Sequence, residues 1–424
     1  MRLRVIKEII KSRTLNQTFL VSTSTILNGI LGIIFYILMA RFLGTNNFGI
    51  FFISVTAISL ISDVSKLGID TGIVNFVGRH IDNDKEKALM FLKYGLKILL
   101  VTSLTIIVII WFFVPFLSNS LFFKSELINP FRIALFGVLT LTLFIFSTSS
   151  LQALQKFWVW GTLNVSMNFV RLIVVVFLYI FGYLSISSAL LIYISIPLLG
   201  FLVSFTFLPN FLNVKNENKI AYEFIKFNKW VIVFTVISAV GSRLDTLLSG
   251  RFLSLSDLGV YSVAVNLTSV IPQIVVAIAA VVAPKLTKFN DNRTAIKYLK
   301  KLQLFVVFLS LLGFIFGGVI GYYLINNYYG LNYKESFTPF MILLFAQVIF
   351  LISIPVHSAV LYYFSYPKLF FVTTSINLFI TLVSGYVFIP MYGYIGASII
   401  VLIGNLSNFI IPFLWVYFKF KEIK

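Results

Sequence analysis

Polar residues in this chain gather in short clusters between apolar runs long enough to cross a lipid bilayer. The runs fall at roughly 17–40, 47–65, 95–117, 131–152, 158–182 and 185–208, then at roughly 227–250, 258–283, 303–326, 337–363, 369–390 and 394–418. A helix needs about 20 apolar residues to span the hydrocarbon core, whereas a barrel strand shows about ten residues of strict alternation. These runs are continuous, so they predict about twelve transmembrane helices in an all-α integral membrane protein. The second is the most interrupted, with Asp63, Lys66 and Asp70 near its inner end. A basic segment precedes the first run, as in a secretory signal. That run is longer than a signal's apolar stretch, and no small-residue cleavage site precedes the next loop. It is read as a retained first helix.

Composition agrees with this pattern. The 424 residues are 59% hydrophobic and 11% charged, with a mean hydropathy of +1.00. Soluble domains are about 45–50% apolar and about 25% charged, so a soluble globular protein is excluded. The net charge is +19, from 33 Lys and Arg against 14 Asp and Glu. In a soluble chain such an excess would point to nucleic acid; here its placement along the chain matters more. Twenty-six cations lie at the two ends and in the segments after even-numbered spans. Five, Arg41, Lys124, Arg132, Arg251 and Lys334, lie on the other side. Loops rich in Lys and Arg stay inside, which places both termini in the cytoplasm and the chain in the cytoplasmic membrane. No nucleic-acid partner is expected. The absence of cysteine excludes disulfides and thiolate sites, and His80 and His357 are too few and too far apart for a zinc site.

The chain also repeats itself. A shift of 210 lays Arg41-Phe42-Leu43 and Phe48-Gly49-Ile50-Phe51 over Arg251-Phe252-Leu253 and Leu258-Gly259-Val260-Tyr261. Shifts of 207 and 209 match Lys87–Lys93 with Thr294–Lys300, and Ser166 and Asn168 with Ser375 and Asn377. Two six-helix lobes follow, 1–212 and 213–424. Six being even, both halves enter from the same side, and the pseudo-twofold axis lies along the membrane normal.

Polar stripes at helical spacing mark four spans. They are Thr25, Asn28, Gly32 and Tyr36 in span one; Thr56, Ser59 and Asp63 in span two; Thr235, Ser238, Ser242, Asp245 and Ser249 in span seven; and Ser262, Asn266, Ser269 and Gln273 in span eight. Spacings of three and four place each set on one helix face. For single Ser and Thr residues interhelical hydrogen bonding is the commoner explanation. Recurrence in both halves points to a cavity wall for the set. Ionisable residues inside spans are sharper signals, each costing at least about 2.5–3.5 kcal/mol at mid-bilayer. These are Asp63, Arg171, Arg243 and Asp245. Asp245 lies over Phe35, Arg243 over Ile33 and Arg171 over Ile380, so the charges break the repeat. A structural ion pair and a substrate role both remain open for each.

Other features read as packing or anchoring. Gly317, Gly318 and Gly321 and the prolines within spans suit packing and kinks. His357 suits a hydrogen-bonded interior position. Arg41 and Arg251, at outer helix ends, suit interfacial anchors.

The ordered series Arg41-Phe42-Leu43-Gly44 with Phe48-Gly49, Leu67-Gly68-Ile69-Asp70-Thr71-Gly72, Asp245, Leu258-Gly259-Val260-Tyr261, Tyr329-Gly330 and Tyr392-Gly393 spans the chain. It resembles the polysaccharide (Wzx-type) flippases of the multidrug/oligosaccharidyl-lipid/polysaccharide exporter superfamily. The resemblance implies two six-helix lobes in a V around a central cavity lined by helices 1, 2, 7 and 8. It implies transport of a polyprenyl-pyrophosphate-linked oligosaccharide (an O-antigen, capsule or exopolysaccharide unit) by alternating access. Arg171, Arg243, Arg41 and Arg251 would then meet the pyrophosphate, and Asn28, Asn266 and Gln273 the sugar hydroxyls. With no P-loop sequence, coupling falls to a proton or sodium gradient or the membrane potential, through Asp245, Asp63 and Asn377. In sodium-coupled relatives the ion site lies among helices 7, 11 and 12, and here neither helix 11 nor helix 12 carries an acid, which weighs against sodium. No cofactor is expected, and the expected partners are membrane lipids and the polysaccharide polymerase and chain-length machinery around a monomer. A multidrug antiporter of the same fold is the main alternative. A glycan polymerase or ligase fits less well, because the longest outer loop, roughly 118–130, holds only Glu126 as an acid.

Overall fold

The computed structural model describes residues 13–215, 217–287, 289 and 291–422. Arg2, Arg4, Lys7, Lys11, Lys288 and Lys424, which entered the orientation argument, lie outside the described residues. Every regular element among the described residues is helical. The chain starts with α1 (Arg13–Ser65), α2 (Ile69–His80), α3 (Lys85–Phe116), α4 (Ile128–Ala153), α5 (Phe157–Ile180) and α6 (Ile186–Phe205). It continues with α7 (Asn218–Gly241), α8 (Leu244–Phe252), α9 (Leu255–Thr268), α10 (Ile271–Leu286), α11 (Asn292–Leu324), α12 (Phe337–Ile352), α13 (Ile354–Ser358) and α14 (Lys368–Glu422).

Among the described residues, nine helices are long and apolar enough to cross a membrane. Two of them hold two spans each. At 1.5 Å per residue, the 53 residues of α1 and the 55 of α14 would each reach about 80 Å, far beyond one bilayer. Each is broken at a glycine, Gly44 (φ 74°, ψ 171°) and Gly393 (φ 58°, ψ −137°), conformations a Cβ would strain. With the broken pair α7–α8, all twelve expected spans are present.

Span seven corrects one expectation. Its polar series does not follow a single helix face, because α7 ends at Gly241 and α8 starts at Leu244. Arg243 (φ −129°, ψ 5°) caps α8 from within the joint. Glycine is a poor helix former and serine competes for backbone hydrogen bonds, so Gly241-Ser242 is a natural place to break. Thr235 and Ser238 therefore precede the joint, while Asp245 and Ser249 follow it.

The breaks themselves repeat. Gly44 corresponds to the extended Ser254 ahead of α9, and the π-turn Leu117–Leu121 corresponds to Ile325–Tyr329. Gly182 (φ 72°), between α5 and α6, corresponds to Gly393. The offsets are 210, 208 and 211 residues, close to those of the sequence repeat.

The chain forms two compact units. The first holds the described residues up to Phe42 together with Ser54–Ala239, and the second holds Leu43–Ile53 and Val240 onward. In the first unit Phe76, Phe91, Phe146, Phe211 and Phe224 form an aromatic core with Ile73 and Leu99. Phe211, Ile220 and Phe224 bring the connection after α6 into that core. Lys93 Nζ donates to the Val214 carbonyl (2.6 Å), and Lys87 Nζ lies 3.4 Å from Glu223. The unit accordingly continues to Ala239. Outward faces are apolar: Val101, Leu104, Val108 and Phe112 on α3 and Leu304, Phe308, Leu311, Ile315 and Val319 on α11 are exposed at spacings of three and four. Stripes of this kind need lipid, not water, as their solvent.

In the second unit the two copies of the repeated segment touch. A Cβ at Gly49 would overlap the Leu255 carbonyl, and one at Gly259 would overlap the Thr45 carbonyl. Ser256 Oγ donates to Thr45 Oγ1 (2.8 Å) beside them. Thr45 and Leu255 occupy equivalent repeat positions, as do the two glycines, so the contact is reciprocal.

Candidate functional site

In the first unit, α1 and α5 run side by side and carry the polar and cationic candidates between them. Gly161 of α5 leaves room for Ser24 of α1. One and three turns further on, Asn168 Nδ2 donates to Asn28 Oδ1 (2.9 Å), and Arg171 meets Phe35. The Arg171 guanidinium carbon lies 5.4 Å from the Phe35 ring centroid and 4.9 Å from that of Tyr193 on α6. The Phe35 and Tyr193 rings are themselves 6.4 Å apart. Such cation–π contacts contribute about 0.5–2 kcal/mol each, depending on desolvation, and they hold the cation without neutralising it. Arg171 Nε is buried and makes no hydrogen bond among the described residues. A guanidinium fixed between two rings, with N–H donors to spare, is equipped to receive a bidentate anion.

The second unit holds the acid. Asp245, in the first turn of α8, accepts hydrogen bonds from the Tyr261 hydroxyl (2.7 Å) and Thr246 Oγ1 (3.3 Å). Tyr261 is fully buried. Sequence reasoning did not select this tyrosine, although the repeat held the signal. Asp245 and Tyr261 lie over Phe35 and Phe51, so a carboxylate and a hydroxyl replace two plain rings in one half only. Phe35 and Tyr193 were missed because aromatics make up 17% of the chain and none stands out.

The remaining candidates are dispersed. Arg243 Nη1 donates to Ser242 Oγ (3.3 Å) at the α7–α8 joint. Arg251 Cζ lies 5.6 Å from the Phe252 ring, and Arg41 is exposed. Asn266 is buried with an Nδ2 that lacks a hydrogen bond among the described residues, whereas Gln273 is exposed. Asn377 Oδ1 accepts from Thr381 Oγ1 (3.3 Å) and abuts Gly404. Asp63 lies 2.9 Å from Lys66 Nζ, which also reaches Asp70 at 3.3 Å. Burial alone would push the Lys66 ammonium down, but Asp70 and Asp63 outweigh it and hold its pKa above the usual lysine value. This triad is cationic at its centre throughout the physiological range. His357 is an interior residue whose Nε2 hydrogen-bonds to the Asn408 carbonyl (2.9 Å). Gly321 packs against Phe340.

Among the described residues this is an all-helical chain with spans apolar enough for a membrane, duplicated breaks, a cation held between rings and a hydrogen-bonded acid, and comparison with solved structures agrees with that fold. The lipid II flippase MurJ in an inward closed conformation superposes with a TM-score of 0.77 at 17% identity, covering 94% of this chain and 87% of that one. An inward-facing multidrug resistance MATE family transporter of the MOP superfamily gives 0.74 at 14% identity, covering 95% and 98%. A MOP superfamily transporter from Pyrococcus furiosus Vc1 gives 0.64 at 12% identity, covering 96% and 95%. At these identities the likeness establishes the fold that this chain shares with them. The chain belongs to the polysaccharide biosynthesis protein family, whose sequence model matches residues 14–290. No curated protein matches the chain.

Proposed function

We propose that this protein is a flippase that carries a polyprenyl-pyrophosphate-linked oligosaccharide across the cytoplasmic membrane by alternating access, with both termini in the cytoplasm. The supporting observation is Arg171, held between Phe35 and Tyr193 with an unused buried N–H and next to the Asn28–Asn168 pair. The guanidinium receives the pyrophosphate, and the amides face sugar hydroxyls. Arg243, Arg41, Arg251, Asn266 and Gln273 extend this set along the path. Asp245, with Asn377 and Asp63 as further candidates, couples transport to a proton or sodium gradient or to the membrane potential. The two halves of the sequence repeat, 1–212 and 213–424, supply the two six-helix lobes of the alternating-access cycle. The carrier works as a monomer among membrane lipids and hands its cargo to the polymerase and chain-length machinery.

The Asp245–Tyr261 pair gives the multidrug antiporter reading its best support, because an acid held inside a span also suits an organic cation. One experiment separates the two. The gene is expressed in a strain that lacks its own flippase, and surface glycan and drug sensitivity are measured in parallel. Restored glycan supports the flippase; drug resistance without glycan overturns it.

A further inference from the structure

On the N-terminal side of the Ser24–Gly161 contact along both α1 and α5, the first unit contains an open cavity of about 410 Å³ with Gln17 at its edge. Its wall is mostly carbon, from Leu20, Phe157, Val159 and Phe207. Exposed Gln155 and Lys156 also line it. Gln155 has φ 55°, an uncommon conformation for a residue with a Cβ, and it turns the chain sharply out of α4. Lys156 Nζ donates to the Phe207 carbonyl (2.7 Å), which pins the ammonium next to the cavity and leaves two of its N–H groups free to donate elsewhere. Trp158, 65% exposed, stands beside it as interfacial tryptophans do.

We propose that this cavity is an inner-leaflet docking site for the polyprenyl pyrophosphate end of the cargo. The first isoprene units lie on the apolar wall and the pyrophosphate lies on Lys156. Three observations select this occupant. The volume falls within the range of small-ligand pockets, about 300–1,000 Å³. An apolar wall beside a pinned cation complements a lipid phosphate and not a bare sugar. The same two helices then lead from the cavity past Ser24 and the Asn28–Asn168 pair to Arg171. That is a path of about 22 Å from Leu20 to Phe35 at helical rise. The inference rests on the flippase reading and adds a first station to it.

The test uses the full-length purified protein in phosphatidylethanolamine nanodiscs with a photoreactive polyprenyl pyrophosphate, the crosslinked peptide being mapped by mass spectrometry. Labelling is expected on the peptide containing Gln155–Val159. Excess unlabelled polyprenyl pyrophosphate should reduce it at least fivefold, and equal phosphatidylglycerol should leave it unchanged. Lys156→Glu, and Leu20→Trp to fill the cavity, should each reduce labelling to a similar extent. Displacement by phosphatidylglycerol, labelling elsewhere, or indifference to both variants would overturn the site. Should either variant fail to fold, the wild-type competition decides alone. Glycan export without labelling here removes this station and leaves the flippase reading intact; absent export removes both.

Discussion

Among the described residues Arg171 is held by rings and not by a counter-charge, so its neighbours fix its position while its charge remains available. Arg171→Ala should abolish glycan export at unchanged membrane abundance, and Arg171→Lys should recover only part of it, since a lysine has neither the planar stack nor the fork. Tyr261→Phe deletes one of the two side-chain donors to Asp245. It should lower stability by about 0.5–1.5 kcal/mol, measured as a shift in detergent melting, because the carboxylate loses its shorter hydrogen bond and keeps the one from Thr246. Asp245→Asn keeps an acceptor oxygen for that hydroxyl. It should fold normally yet lose the dependence of export on the ion gradient, followed by export with and without uncoupler. Arg171 and Asp245 were legible from sequence alone because charge inside an apolar run is costly and therefore conspicuous. Tyr193 was not: a ring among many rings carries no such cost, and only the fold reveals which one lies against the guanidinium.

The helices were legible as apolar runs, and the breaks within them were less so. Gly44 and Gly393 appear in the sequence as ordinary loop glycines, whereas Gly241-Ser242-Arg243 sits inside an apolar stretch whose periodicity suggests one continuous face. Hydropathy averages over such a joint; the propensity of two residues decides it. The reciprocal contact of the two repeat copies gives a sharp prediction for these elements. Gly49→Ala or Gly259→Ala drives a methyl into a backbone carbonyl and should cost about 1–3 kcal/mol or more, since backbone cannot rotate away as a side chain can. Gly32→Ala, with open space around it, should be neutral or gain about 0.5–1 kcal/mol from helix propensity. Melting temperatures of the three variants in one detergent check the contrast.

For the whole molecule, the cations that make the chain basic set its direction in the membrane. Alkaline phosphatase, active only outside the cytoplasm, should be inactive when fused after Val214 and active when fused after Lys334; the reverse pattern would invert the topology. The duplication was visible in sequence as three short matches with drifting offsets. It is visible in the fold as breaks at matching places, because a kink or a π-turn outlasts the side chains around it. Charge inside the spans is what the two halves do not share. Arg171 belongs to one and Asp245 to the other, each facing aromatic or aliphatic residues in its repeat counterpart.

The crossing of Gly49 and Gly259 also limits how this family can diverge. Where two side chains collide, a larger residue on one can be answered by a smaller one on the other. Here each glycine faces a carbonyl oxygen, which every amino acid carries, so no second substitution can make room. Across related chains these two positions should stay glycine independently and without covarying partners. Chimeras that exchange one repeat between relatives should therefore tolerate the swap at this crossing.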